Sequence, residues 1–299
     1  MPAPDPTALL EPPMFEITAL LVGLTVGSFA NVCIHRLPRD YEPSPGLLGW
    51  LKDVSRQLAS VVYPPSHCPR CGRPIPPWDN VPLLSWLVLR GRCRSCGLPI
   101  SARYPAVEAA NGALWLGLAL LHGPRLRTLV EMLFVSALLV LVLIDLEHQL
   151  LPDAVTLPGV ALGLAASALP GSLVRPLEAG LAAAGGWLAF ALVALAWKKL
   201  RHIDALGEGD WKMAAMLGAF FGWERLLLTV LLASASGALV GVLALVSRTG
   251  GWRSKLPLGT FLGLAGIVMV FFGDAILVGY RDLALSIADA LLARGLLGG

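Results

Sequence analysis

The chain has 299 residues, of which 56% are hydrophobic and only 14% charged, with a mean hydropathy of +0.71. A soluble domain of this length needs a charged surface that such a composition cannot supply, so a bilayer must act as solvent for most of it. The formal net charge of +3 is small; membrane lipids, not nucleic acid, are the expected surroundings.

In chain order, the first 14 residues contain no Lys or Arg, and no small-residue cleavage site follows the first apolar run, which predicts a retained membrane segment in place of a signal peptide. A spanning helix takes roughly 20 mostly apolar residues. Candidate spans are 16–34, 105–122, 128–145, 154–170, 177–197, 211–223, 226–246 and 257–279. The sixth is short and separated from the seventh only by Gly222-Trp223-Glu224-Arg225, so the two can also form one long helix. The expected fold is therefore all-α and polytopic, with about eight transmembrane helices and a small cytoplasmic zinc-ribbon-like loop domain. Gly23 and Gly27, four residues apart, suit a close helix–helix face, although Gly is common in membrane helices generally. No internal repeat or low-complexity tract is expected.

Lys and Arg in short loops set orientation. Ten of them fall in 36–104, and eight spans place Lys198, Lys199, Arg201, Arg248, Arg253 and Lys255 on the same side. The other side receives six, Arg125, Arg127, Arg175, Arg225, Arg281 and Arg294. The excess puts 36–104 in the cytoplasm and both termini in the periplasm. The expected organisation is a periplasmic N-terminus and first helix (1–35), a cytoplasmic Cys-rich zinc-binding domain (36–104), a transmembrane core (105–280) and a C-terminal tail (281–299).

The segment 36–104 is too small and too poor in aliphatic residues to bury much core, so it needs a staple. Cys68-Pro69-Arg70-Cys71 and Cys93-Arg94-Ser95-Cys96 are each followed by Gly (Gly72, Gly97), like the two knuckles of a zinc ribbon. Four thiolates suit tetrahedral Zn2+. A reducing cytoplasm argues against disulfides, and redox or regulatory thiols are the remaining alternative. His67 stands next to Cys68 as a competing ligand, and Cys33 reads as a small buried apolar residue.

Acids at the edges of apolar spans are the second chemical signal, because a carboxylate beside hydrocarbon is costly. Asp145 ends the third span in Ile144-Asp145-Leu146-Glu147-His148, and Asp210 opens the sixth in Gly207-Glu208-Gly209-Asp210. The orientation puts both at the cytoplasmic face. Two neighbouring carboxyls cannot both ionise cheaply; sharing one proton leaves an acid and a base for activating water against a peptide carbonyl. The two glycines would let backbone approach a substrate strand and set the helix start. Either Asp can also be a helix cap, which is the simplest reading of Asp153 after Pro152. Glu147, His148 and Asp274 read as interfacial, and Lys212 either holds substrate or reaches for the surface.

Eight blocks in order resemble the bacterial prepilin peptidases, membrane aspartic proteases of the Gly-x-Gly-Asp type. They are 27–38 (ending His35-Arg36-Leu37-Pro38), 67–72, Asp79-Asn80-Val81-Pro82 with Leu83 to Trp86, 92–96, 100–108, the two Asp segments, and Leu256-Pro257-Leu258-Gly259-Thr260-Phe261-Leu262. The resemblance spans about 16–280. It implies catalytic roles for Asp145 and Asp210 and zinc ligation by Cys68, Cys71, Cys93 and Cys96. It further implies cleavage of type IV prepilin and type II secretion pseudopilin leaders at the inner membrane's cytoplasmic face. S-adenosylmethionine-dependent N-methylation of the new terminus follows in members with this cysteine loop. Asp79 stands where the family usually has Glu, and Thr260 where it often has Pro; neither is expected to touch the catalytic pair. Basic leaders are expected to be recognised by acids such as Glu147 and Asp153. The alternatives are a transporter using its intramembrane acids, or a scaffold for secretion assembly.

Overall fold

Inside hydrocarbon a chain must close its backbone hydrogen bonds within itself, and a helix does so segment by segment. The computed structural model describes residues 13–39, 46–68, 70–202, 206–247 and 257–293. Residues 1–12 of the expected periplasmic N-terminus, the basic residues Arg248, Arg253 and Lys255, and the chain from 294 lie outside the described residues. In order come α1 (Met14–Arg36), α2 (Gly46–Val62), α3 (Leu84–Val88), α4 (Arg103–His122), α5 (Leu126–His148), α6 (Asp153–Ser167), α7 (Pro176–Arg201), α8 (Glu208–Val246) and α9 (Leu258–Ala293). Among the described residues the only β structure is two isolated bridges.

Five helices, α1, α5, α7, α8 and α9, are long and apolar enough to cross a membrane. Each expected span falls on a helix. The second and fourth coincide with α4 and with the 15-residue α6, while the sixth and seventh are joined as the 39-residue α8. That helix is broken at Gly222, whose φ of 69° and ψ of −172° lie outside the helical region. A Cβ at Gly222 would sit 2.6 Å from Glu178 Oε1, so the glycine permits both the break and the approach of α7.

Small residues set the helix contacts, as expected where lipid is as apolar as the helix faces. A Cβ at Gly23 would come 2.8 Å from Trp115 Cβ and one at Gly27 2.8 Å from Glu108 Cα, so these two glycines are the face on which α1 meets α4. Asn111 fixes the same contact by donating 2.7 Å to the Gly23 carbonyl. At the α7–α8 contact, a Cβ on Gly218 would lie 2.5 Å from the Ala182 carbonyl oxygen. α5 is the most buried spanning helix; its Phe134 stacks on Phe220 of α8 at 3.7 Å between centroids.

Helix α2 departs from this pattern. Its polar Asp53 and Gln57 are buried, whereas Leu48, Leu51, Leu58 and Val62 are exposed. It packs on α1 and α6 at the end of the bundle that carries the acids.

Candidate active site

Asp145 lies in the last turn of α5 and is 5% exposed; Asp210 lies in the first turn of α8 and is 9% exposed. The fold brings them to one end of the bundle, close enough for the two carboxyls to repel each other. Asp210 Oδ2 accepts the Gly207 N–H at 3.0 Å, while its own N–H returns to the Gly207 carbonyl. The expected cap role of Asp210 is thus real, and it coexists with the pairing.

Asp145 is held from a third helix. The Thr260 N–H donates 2.6 Å to Asp145 Oδ2, and its hydroxyl donates 2.9 Å to the same oxygen in preference to the Val142 carbonyl, an uncharged acceptor at 3.4 Å. The expectation that Thr260 stands clear of the pair is therefore wrong. The chain returns to α5 after 115 residues, and the α9 start presents an N–H that has no partner within its own helix.

Leu151 wedges between the starts of α8 and α9. A Cβ on Gly209 would come 2.8 Å from Leu151 Cβ, and one on Gly259 2.8 Å from Leu151 Cδ1 and 3.0 Å from Asp145 Cγ. This corrects the substrate-approach role expected for Gly209, while Gly207, the N-cap of α8, sets the helix start as expected. The space at Gly209 is filled by Leu151, not left open for a substrate strand, and Gly207 adopts ordinary extended dihedrals.

Asp153 is not an N-cap: Pro152 occupies that position, and no side chain caps α6. The buried Asp153 carboxylate accepts Lys212 Nζ at 2.7 and 2.8 Å and Trp50 Nε1 at 2.6 Å, joining α6, α8 and α2. Lys212 is therefore an internal cation partner. Glu147 is bound to Arg103 at 2.6 Å. Asp153 is thus committed inside the bundle, whereas Glu147 is exposed beside its Arg103 partner. Asp274 is exposed, as expected of an interfacial residue, and pairs with Arg225.

Besides Asp53 of α2, two buried acids were not singled out from the sequence. Glu108 accepts the Leu83 N–H at 2.8 Å and ties the loop to α4. Glu131 is held by His122 at 2.6 Å and Arg127 at 2.7 Å, toward the opposite end of α5 from Asp145. Each sits on a helix face whose apolar spacing hides it until the partner is placed.

The four cysteines converge, with Sγ atoms all within 4.8 Å of one another and Cys68 and Cys96 sulfurs 4.0 Å apart. Tetrahedral zinc with bonds of about 2.3 Å puts its sulfurs about 3.8 Å apart, so the donor set and its spacing fit that ion. Both knuckles share one bonding scheme. Gly72 and Gly97 donate to Cys68 and Cys93 carbonyls, Cys68 and Cys93 to Arg73 and Leu98, and Ile75 and Ile100 to Ser66 and Gly91. Gly72 (φ 69°) and Gly97 (φ 70°) supply the left-handed turn. The sequence thus does contain a short repeat, Cys-x-x-Cys-Gly-x-Pro-Ile at 68–75 and 93–100, contrary to expectation. Backbone N–H groups of Cys71 and then Arg70 hold the Cys68 thiol down, to about 6, while Cys96, lowered by the Leu98 N–H, is carried up to about 11 by burial and by the other three sulfurs, so the cluster loses its protons in steps.

Residues 21–122 match the Bacterial Peptidase A24 N-terminal domain, and residues 132–242 match the Type IV leader peptidase family. A Pseudomonas aeruginosa protein described as "Prepilin leader peptidase/N-methyltransferase" is 38% identical over 279 residues, covering 92% of this chain and 96% of the relative. The chain belongs to the type IV leader peptidase family. Relatives of the same description from Burkholderia pseudomallei (38% identical; 85% of this chain, 84% of the relative) and Pseudomonas putida (39% identical; 89% and 94%) agree. No solved structure matches the chain. Membership in this peptidase family disfavours the transporter and scaffold alternatives, and the apolar helices fit a multi-pass membrane protein.

Proposed function

We propose that this chain cleaves the leaders of type IV prepilins and of type II secretion pseudopilins, with Asp145 and Asp210 as the catalytic pair. The observation that carries the reading is the meeting of two buried carboxyls from α5 and α8 at one end of a membrane bundle. Two carboxyls that share a proton offer a base to take a proton from water and an acid to protonate the peptide carbonyl. The names of the relatives support the substrate class, and their N-methyltransferase description supports methylation of the new terminus with S-adenosylmethionine as donor.

Zinc is the metal that fits the four thiolates, with Cys68, Cys71, Cys93 and Cys96 holding it and the ion supplying a structural cross-link for the loop. The excess of Lys and Arg supports a cytoplasmic loop, an inner-membrane location and periplasmic termini. The pair would then face the cytoplasmic interface, where a basic leader joins an apolar pilin helix. The test is to incubate the detergent-purified chain with a prepilin and S-adenosylmethionine and weigh the products. Loss of the leader mass plus gain of one methyl group is expected; an intact prepilin would refute the reading.

A further inference from the structure

Two carboxyls sharing a proton are equivalent until their surroundings distinguish them, and here the surroundings differ. Asp210 receives one donor, the Gly207 N–H at 3.0 Å, from its own helix start. Asp145 receives two, the Thr260 N–H at 2.6 Å and hydroxyl at 2.9 Å, and both end on Oδ2. Among the described residues no hydrogen bond is donated to Asp145 Oδ1. Helix ends on balance favour charge on Asp210. The α8 start favours charge on Asp210 and the α9 start favours it on Asp145, while the α5 C-terminus opposes charge on Asp145. Without Thr260, Asp145 would be the carboxyl harder to ionise.

We infer that Thr260 is a positioning residue that fixes Asp145 through Oδ2 and holds it ionised, leaving Oδ1 to act as the base and the shared proton on Asp210. The inference rests on the Asp145–Asp210 reading and adds to it the role of each partner. Hydrogen bonds to a charged acceptor are stronger than neutral ones, so two donors against one set the order.

Other titratable groups near α5 are already engaged or lie at helix ends. Asp210 faces Asp145 from α8, and α6 brings Asp153 in its pair with Lys212. Helix α4 brings Arg103, paired with Glu147 of α5, and Glu108, bonded to Leu83. Helix α1 ends near Cys33, His35 and Arg36, the last donating to the Ser60 carbonyl, and His148 follows Glu147 on α5 itself. Residues 257–270 of α9 carry no titratable side chain. Among the described residues none of these groups is hydrogen-bonded or ion-paired to Asp145.

The experiment is the pH profile of kcat/KM for leader cleavage by the full-length protein and three variants. Thr260→Ser keeps both donors and should reproduce the parent profile. Thr260→Val removes the hydroxyl alone and should move the acid limb up by about one pH unit. Thr260→Pro removes both donors at a first-turn position that tolerates proline, and should move it by about two. If Asp145 instead carried the proton and donated it to the Thr260 hydroxyl, Val would leave the acid limb in place and lower the basic limb. That result, or an unshifted profile in Val, overturns the inference. Asp145→Asn and Asp210→Asn, run alongside, separate the two levels. A variant pair that still cleaves removes the catalytic reading itself, whereas two inactive Asn variants with an unshifted Val profile remove only the role of Thr260.

Discussion

The end of the bundle that carries Asp145 and Asp210 and the loop that carries the four cysteines are fixed by different means. The acids are placed by helices whose contacts run backbone to backbone, through Gly23, Gly27 and Gly218, and by donors from elsewhere in the chain. The loop has almost no core: of its four clustered cysteines only Cys68 is buried, and Trp78, Leu84, Leu87 and Val88 are exposed. It keeps its shape through two repeated hydrogen-bonded knuckles that close on one point. The loop therefore depends on its cation-binding set, whereas the bundle depends on close helix approach that a single added methyl group would block.

The largest expected effect is on the loop. Replacing Cys68 and Cys96 together by Ser removes half the donors, so bound zinc should fall from about one per chain to none, because metal binding supplies the loop's folding energy. Limited proteolysis should then cut within 63–102, while circular dichroism still reports the bundle helices. A zinc-free protein whose loop resists protease would show that the knuckles stand without metal.

Next in size is Asp153→Ala, which strands Lys212 and Trp50 Nε1 at a three-helix junction. Breaking such a pair costs about 3 kcal/mol, read as a lower melting temperature in detergent. Unchanged melting would mean that the junction is not holding the site end together. Gly218→Ala follows, since its Cβ would press on the Ala182 carbonyl. A destabilisation of about 1–3 kcal/mol is expected from overpacking, with zinc content unaltered. Zinc loss in this variant would show that the two regions are not independent.

The smallest effect belongs to Asp79, whose carboxyl Arg94 holds below the usual carboxylate range through two hydrogen bonds of 2.8 and 2.7 Å. A lowered carboxyl stabilises above its unfolded value and loses that contribution as pH falls through the folded one. Arg94 is exposed and solvated although the Asp79 side chain is covered, so Asp79→Asn should change loop protection only modestly at neutral pH. It should also remove a small acid-dependent loosening of the loop, seen by hydrogen exchange at low pH. An equal loosening of parent and variant would exclude the pair as its source.

Much of this was legible because cost leaves a mark in sequence. A carboxylate at the edge of an apolar run and a Cys-x-x-Cys pair in a Pro- and Arg-rich stretch are both expensive or unusual, so Asp145, Asp210 and the cysteines stand out. The supports were not legible, since their partners are distant in sequence and ordinary in type. Thr260 looked like a mere departure from a family pattern, yet its N–H is free only because it falls in the first turn of α9. Asp153 looked like a cap because Pro152 precedes it, and the partners that show otherwise lie 59 and 103 residues away. Helix α2 was not legible either: no helix was expected within 36–104, and this one buries Asp53 and Gln57 while exposing Leu48, Leu51, Leu58 and Val62.

The most direct measurement is leader cleavage by purified Asp145→Asn and Asp210→Asn, followed by mass spectrometry of a prepilin after prolonged incubation. Each variant should keep the parent's helical content and zinc and yield no cleaved product, because a shared proton needs both carboxyls. Full processing by either variant would contradict the pair as the catalytic centre.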